Sequence, residues 1–168
     1  APGYIQVGKT VFSPRKIEIA GPKEELALIN HVETIFDTLV GTTTSIKGYL
    51  DIATLGRLIE YSENEVEINL DIQEISERII VDIPVRVINI PDNIRVFPSP
   101  QTVSLTVVGG VQRIAKLNPE EVQIVINFNK WNRQIQFYEP QVNIPSDVLE
   151  WRDISPRSLE LGVAREVQ

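Results

Sequence analysis

Apolar and polar residues alternate with a period of two after four serines of the chain. Behind Ser13-Pro14, Ile17 and Ile19 fall on one side of the alternation and Lys16 and Glu18 on the other. Behind Ser99-Pro100 the apolar set is Val103 and Leu105, and behind Ser155-Pro156 it is Leu159 and Leu161. Ser62 lacks the proline but keeps the spacing, with Val66, Ile68 and Leu70 set against Glu65, Glu67 and Asn69. In a strand successive side chains point to opposite faces, so each copy predicts a half-buried β-strand. Proline fixes φ and lacks an N–H, which suits it to a strand entrance outside the hydrogen-bonded ladder.

The copies are spaced alternately. Ser13 and Ser99 stand 86 residues apart (99 − 13) and Ser62 and Ser155 stand 93 apart (155 − 62). Between them the intervals are 49 (62 − 13) and 56 (155 − 99), so one copy opens and one closes each of two related units. Other features recur in the same order. Pro2–Val7 and Pro91–Val96 each read as a turn leading into a short strand. The segment from Gly21 to Ile29 switches to helical spacing, with proline and acids at its start, and predicts a short helix near residues 22–30. Its counterpart runs from Gly110 to Leu117 and ends at Asn118-Pro119. Further strands are expected at Val32–Phe36, Ile46–Leu50, Val122–Phe128 and Gln134–Tyr138. The most apolar run, Glu77–Asn89, precedes Pro91 and has no equivalent before Pro2. The fold expected is mainly β: two tandem units, residues 1–76 and 77–168, each with one short helix. The first unit is expected to lack its opening strand, which leaves an edge that needs covering.

Composition narrows the chemistry. The content of 11 prolines and 9 glycines in 168 residues agrees with strands and turns. A net charge of −7, from 16 basic and 23 acidic residues, argues against a nucleic-acid partner. With no cysteine there is no disulfide, thiolate metal site or thiol nucleophile. Methionine is absent even at position 1, which suggests a piece of a longer protein. No apolar run approaches the roughly 18 residues of a membrane span.

The strings Pro2 to Val7 and Pro14 to Pro22 resemble YbbR-like domains. So do Ile83 to Val87, continued through Pro91 and Ser99-Pro100, and the closing Ile154 to Leu161. The resemblance spans nearly the whole chain as two units. It implies small β-rich units in tandem behind an N-terminal membrane helix, on the extracytoplasmic side of a bacterial cell membrane. It further implies a non-enzymatic regulator or adaptor whose protein partner is a membrane diadenylate cyclase, the maker of cyclic di-AMP. That anchor helix is not within this sequence, and Gly21-Pro22 has only a loose counterpart in Gly109-Gly110. The resemblance supplies no catalytic residues and no cofactor.

The residues themselves offer little reactive chemistry. His31 is the lone histidine, placed near the end of the expected helix, where it suits exposed carbonyls. The carboxylate neighbours Glu24-Glu25, Glu63 with Glu65, and Glu120-Glu121 lie along strands or head a helix. They lack the sign of two carboxyls converging across a cleft. Asp147 and Asp153 lack calcium-loop spacing, and residues 41–45 lack the lysine of a phosphate loop, so no metal or cofactor site is expected. The one aromatic and basic cluster is Lys130, Trp131 and Arg133 with Trp151 and Arg152. Exposed tryptophan beside arginine can stack on a partner surface or on envelope glycan. Alternatively, both tryptophans cap a core while the cations reach outward. Trp131, Arg133, Trp151 and Arg152 are the candidate partner-binding residues.

Overall fold

The computed structural model describes residues 1–35 and 38–165, and it is mainly β with two short helices. Two compact units divide the chain, Ala1–Glu74 and Ile75–Gln168.

The first unit holds β1 (Tyr4–Ser13), β2 (Ile19–Ala20), α1 (Lys23–Leu26), β3 (Ile46–Asp51), β4 (Glu60–Tyr61) and the start of β5 (Glu65–Ile88). β5 lies between β1 and β3, antiparallel to both, with Ser13 opposite Glu67 and Asp51 opposite Glu65. The β1 register shifts between Val7 and Val11, next to Gly8 at φ 71°, a backbone geometry that favours glycine. β2 pairs with β4, Ile19 opposite Tyr61.

The second unit holds the remainder of β5, then β6 (Ile94–Ser99), β7 (Thr102–Gly110), α2 (Val111–Lys116), β8 (Gln123–Asn127), β9 (Gln141–Asn143), β10 (Glu150–Ser155) and β11 (Glu160–Arg165). β7 is flanked by β5 and β10, both antiparallel to it. Beyond a register shift between Ile80 and Ile83, residues Val85–Ile88 of β5 run parallel to β8, which pairs in turn with β9. Pro84, which cannot donate to the ladder, sits at the far end of the β5–β7 pairing, opposite Thr102. β6 pairs with β11.

The repeated serine ends one strand as well as preceding the next. Ser13, Ser99 and Ser155 are the last residues of β1, β6 and β10, and each Ser–Pro bond is cis. The motif therefore joins two strands: the serine closes one, and the alternating stretch opens the next. Within each unit the two copies answer each other. Ser13 lies opposite Glu67, five residues past Ser62. The Ser62 N–H donates to the Glu18 carbonyl at 2.9 Å, and Glu18 stands five residues past Ser13. In the second unit Ser99 faces Glu160 and Ser155 faces Ser104, again five residues past the other copy. The strand before each copy thus pairs with the strand after the other one.

Several expected elements are shorter than the pattern implied. Only Ile19–Ala20 is strand behind Ser13. The helix expected over 22–30 is the single turn Lys23–Leu26. Pro22 offers no side-chain cap, and Leu28, on the following turn, is 83% exposed. A turn with neither cap nor buried face has little to propagate it. The strand expected at Val32–Phe36 is reduced to one bridge, Thr34 with Ile52, and Phe36 lies outside the described residues. Gln134–Tyr138 likewise keeps one bridge, Tyr138 with Leu159. There the Asn132 side chain accepts from the Gln134 N–H, and the Tyr138 hydroxyl bonds both the N–H and the carbonyl of Asn132 at 2.9 Å. Those local bonds hold a turn where a strand would need them free.

The main core belongs to the second unit. Ile80, Ile83, Val103, Leu105, Val107 and Ile124 are among thirteen buried residues in one cluster there. In the first unit the buried apolar residues are Ile52, Ile59, Val66 and Ile68.

Candidate partner-binding surface

The four candidate residues fall in different settings. Trp131 follows a 3-10 turn (Phe128–Lys130) and stacks on Phe128, ring centroids 5.4 Å apart and planes 11° from parallel. Half-buried, it packs against the second unit's core. Trp151 differs: it sits on β10, opposite Val107, with more than a third of its surface in solvent. Arg152 points to the other face of β10 and reaches Glu77 and Glu150 at 3.6 Å each, exposed ion pairs of small worth. Arg133 is exposed in the turn that follows Trp131. Trp131 stacks on Phe128 rather than on Trp151, so the four do not form one cluster. Beside Trp151 a cavity of about 300 Å³ is lined by Glu139, Pro140, Asp153, Ile154 and Arg157.

The other sequence candidates are surface features. His31 lies beyond the end of α1 and is largely exposed, with Nε2 3.6 Å from Glu33 Oε1; it caps no helix. No group of three acidic or histidine side chains that could hold a metal occurs among the described residues.

Two arginines the pattern did not mark hold the second unit together. Arg78, on β5, donates through Nη1 to the carbonyls of Ile114, Ala115 and Leu117 at 3.0–3.3 Å. These carbonyls lie at the end of α2, where a helix leaves its last carbonyls short of partners; that of Ile114 also accepts from the Leu117 N–H at 3.3 Å. Arg113 donates Nε to Asp147 at 2.6 Å and both Nη groups to Glu121 at 2.7 and 3.4 Å. The guanidinium holds both carboxyls below the usual carboxylate range, and the two carboxylates raise the arginine in turn. Glu121 also accepts from the Asn118 N–H, while the Asn118 side chain accepts from the Glu120 N–H, a capping box on the 3-10 turn Pro119–Glu121. The spacing from Asn118 to Glu121 was a readable sign of that cap. The arginines gave none: the partners of Arg78 lie 36 to 39 residues away, and Arg113 joins Glu121, 8 residues on, to Asp147, 34 residues on.

A further cavity lies in the first unit. It is an open cleft of about 1190 Å³, lined by residues 9–12, 14–17, 19 and 29–34, with Ile52 and Val66 at its base. Val11 and Phe12 are exposed in it, and Lys9, Arg15 and Lys16 line it with one acid among the described residues, Glu33.

Neither a family model nor a curated protein matches the sequence. Among solved structures, the chain is similar to a YbbR-like protein from Streptococcus pneumoniae TIGR4. The identity is 14%, the match covers 97% of this chain and 94% of that chain, and the TM-score is 0.38.

Proposed function

We propose that the chain is the non-enzymatic, extracytoplasmic portion of a membrane-anchored regulator or adaptor, with a membrane diadenylate cyclase as its protein partner. Membrane contact in this reading runs through an N-terminal helix outside the sequence; among the described residues no helix is long and apolar enough to cross a bilayer. The observation that supports it is the fourfold serine motif, which carries the resemblance to tandem YbbR-like units and recurs with the same strand pairing in both units. Each unit then serves as a β-rich scaffold that presents surface to the partner. The experiment is co-purification of the anchored, full-length protein with the cyclase from membranes, with cyclic di-AMP measured in cells with and without it. Association and an altered nucleotide level are expected; neither occurring would reject the reading.

The exposed side of Trp151 supports a second reading, a module that binds cell-envelope glycan by stacking. Retention on cell-wall material is then expected to fall for Trp151→Ala and to hold for a Trp131-intact control with Arg133→Ala. Equal retention of all forms removes this reading.

A further inference from the structure

The serine-centred frame is common to both units, so what only one unit adds to it has another cause. Around Trp151 the second unit adds several things. A displacement of 93 residues, the spacing of Ser62 and Ser155, carries Leu58, Glu60 and Asn64 onto Trp151, Asp153 and Arg157. The first unit thus has neither the indole nor the guanidinium at these places. Asp153 also departs in backbone: its φ is 56°, where the β7–β10 register shifts between Arg152 and Ser155, whereas Glu60 has no positive φ. A positive φ is uncommon outside glycine, and a bulge beside a site re-aims side chains.

The bulge borders the cavity of about 300 Å³ lined by Glu139, Pro140, Trp151, Asp153, Ile154 and Arg157. Trp151 is 38% exposed, and Ile154 packs against the second unit's core, which fixes the wall it belongs to. Among the described residues, the side chains of Glu139, Asp153 and Arg157 enter no ion pair and no hydrogen bond. Arg152, one position from Trp151, does: it reaches Glu77 and Glu150. Two carboxylates, a guanidinium and an indole therefore line one small space without serving the fold's own bonding.

We propose that this cavity binds one pyranose ring bearing a free amino group, an unacetylated hexosamine of a glycan. The π face of an indole carries partial negative charge, which attracts the polarised C–H bonds on the apolar face of a sugar. Sugar hydroxyls donate to carboxylates and accept from guanidinium N–H groups, the chemistry that Glu139, Asp153 and Arg157 offer to the edge of the ring. The carboxylates outnumber the cation, so an ammonium is favoured and a uronate or phosphate is repelled. An ammonium near the indole adds a cation–π attraction. A space of this size, at the low end for ligand cavities, takes one ring of a chain and leaves its neighbours in solvent. The proposal rests on the glycan reading of Trp151 above and names the sugar chemistry that the site takes.

The test follows the two indole N–H signals of the 168-residue chain by NMR, with Trp131 as the internal control. Glucosamine trisaccharide is the probe, at mildly acidic pH where its amines are protonated, with N-acetylglucosamine trisaccharide and trilysine as comparisons. Saturable shifts are expected at Trp151, Asp153 and Arg157, with Trp131 unmoved. The acetylated sugar is expected to bind at least about tenfold more weakly. Asp153→Asn combined with Glu139→Gln is expected to abolish that preference; asparagine tolerates positive φ, so the bulge is kept. Trp151→Ala is expected to lose both sugars, with unchanged amide signals at Leu105 and Ile124 reporting an intact core. Equal binding of the two sugars overturns the proposal, as does the absence of binding. Trilysine binding as tightly as the sugar overturns it too, because the occupant is then a cationic peptide. If retention on cell-wall material depends on Trp151 while the trisaccharide fails to bind, this inference falls and the glycan reading stands; the reverse result sinks the cell-wall reading alone.

Discussion

Close approach, charge and helix-end bonding each rest on a single residue somewhere in this chain. Gly21 has none of the positive φ that often explains a glycine, yet a Cβ built on it would lie 2.6 Å from Ile59 Cδ1 and 2.9 Å from the Leu58 carbonyl oxygen. The second contact is backbone, which cannot rotate away. Gly21→Ala is expected to destabilise the chain by about 1–3 kcal/mol, the usual range for overpacking. Gly56→Ala, whose Cβ would meet only side-chain atoms at 3.6 and 3.7 Å, is expected to stay within about 0.5 kcal/mol. Denaturant midpoints separate the two, and equal midpoints would show that the chain yields at Gly21. The Arg113 cluster adds a pH dependence. Asp147 and Glu121 have carboxyls held below their ordinary range, chiefly by hydrogen bonds from Arg113. Their contribution is therefore complete above the unfolded value of about 4 and is lost as pH falls through the depressed folded values. Arg113 is shifted upward and stays charged throughout that window. Acidification from pH 5 to pH 2 should cost the native chain more stability than it costs Arg113→Gln. Parallel acid limbs would mean that other carboxylates carry the loss.

At the scale of elements, what was legible in the sequence was what depends on near neighbours. The alternations after Ser62 and Ser99 became strands with Val66, Ile68, Val103 and Leu105 buried as the period required. Where tertiary bonds decide the outcome, the pattern misled. Nothing in the string from Gln134 to Tyr138 discloses that the Tyr138 hydroxyl will seize the backbone of Asn132. Nothing near Lys23–Leu26 discloses that no surface will cover Leu28. The tryptophans illustrate the same limit: sequence could pair Trp131 with Trp151, but only packing separates the one stacked on Phe128 from the one in solvent. α2 is stable at six residues because a cation from a neighbouring strand satisfies its terminal carbonyls. Arg78→Met keeps much of the aliphatic stem and removes those bonds, so a loss of about 1.5–3 kcal/mol is expected, as for hydrogen bonds to a charged group. The loss should be accompanied by faster amide exchange over Ile114–Leu117. A variant as stable as the native chain would mean that water replaces the guanidinium at no cost.

For the molecule as a whole, the serine motif and the uneven cores are two sides of one architecture. Each unit interlocks two serine-centred strand pairs, and that frame is the same in both. The frame alone buries few side chains; the strand laid between β7 and β8 completes the second unit's core with Ile80 and Ile83. Fully burying an isoleucine is worth about 1.5–3 kcal/mol, so two of them account for several kcal/mol of difference between the units. Local stability follows buried apolar contact, and regions poor in it open first. Hydrogen exchange on the intact chain should therefore show two levels of protection. Amides of β7 and β8, such as Leu105 and Ile124, are expected to exchange only through opening of the second unit. Amides of β3 and of the first ten residues of β5 are expected to exchange at least about tenfold faster. Denaturant at concentrations below the main transition should accelerate the first set before the second, as sub-global opening does. A single protection level across β3, β5 and β7 would mean that the first unit's cleft costs it nothing, and that its four buried apolar residues among those described are supported by more than the frame.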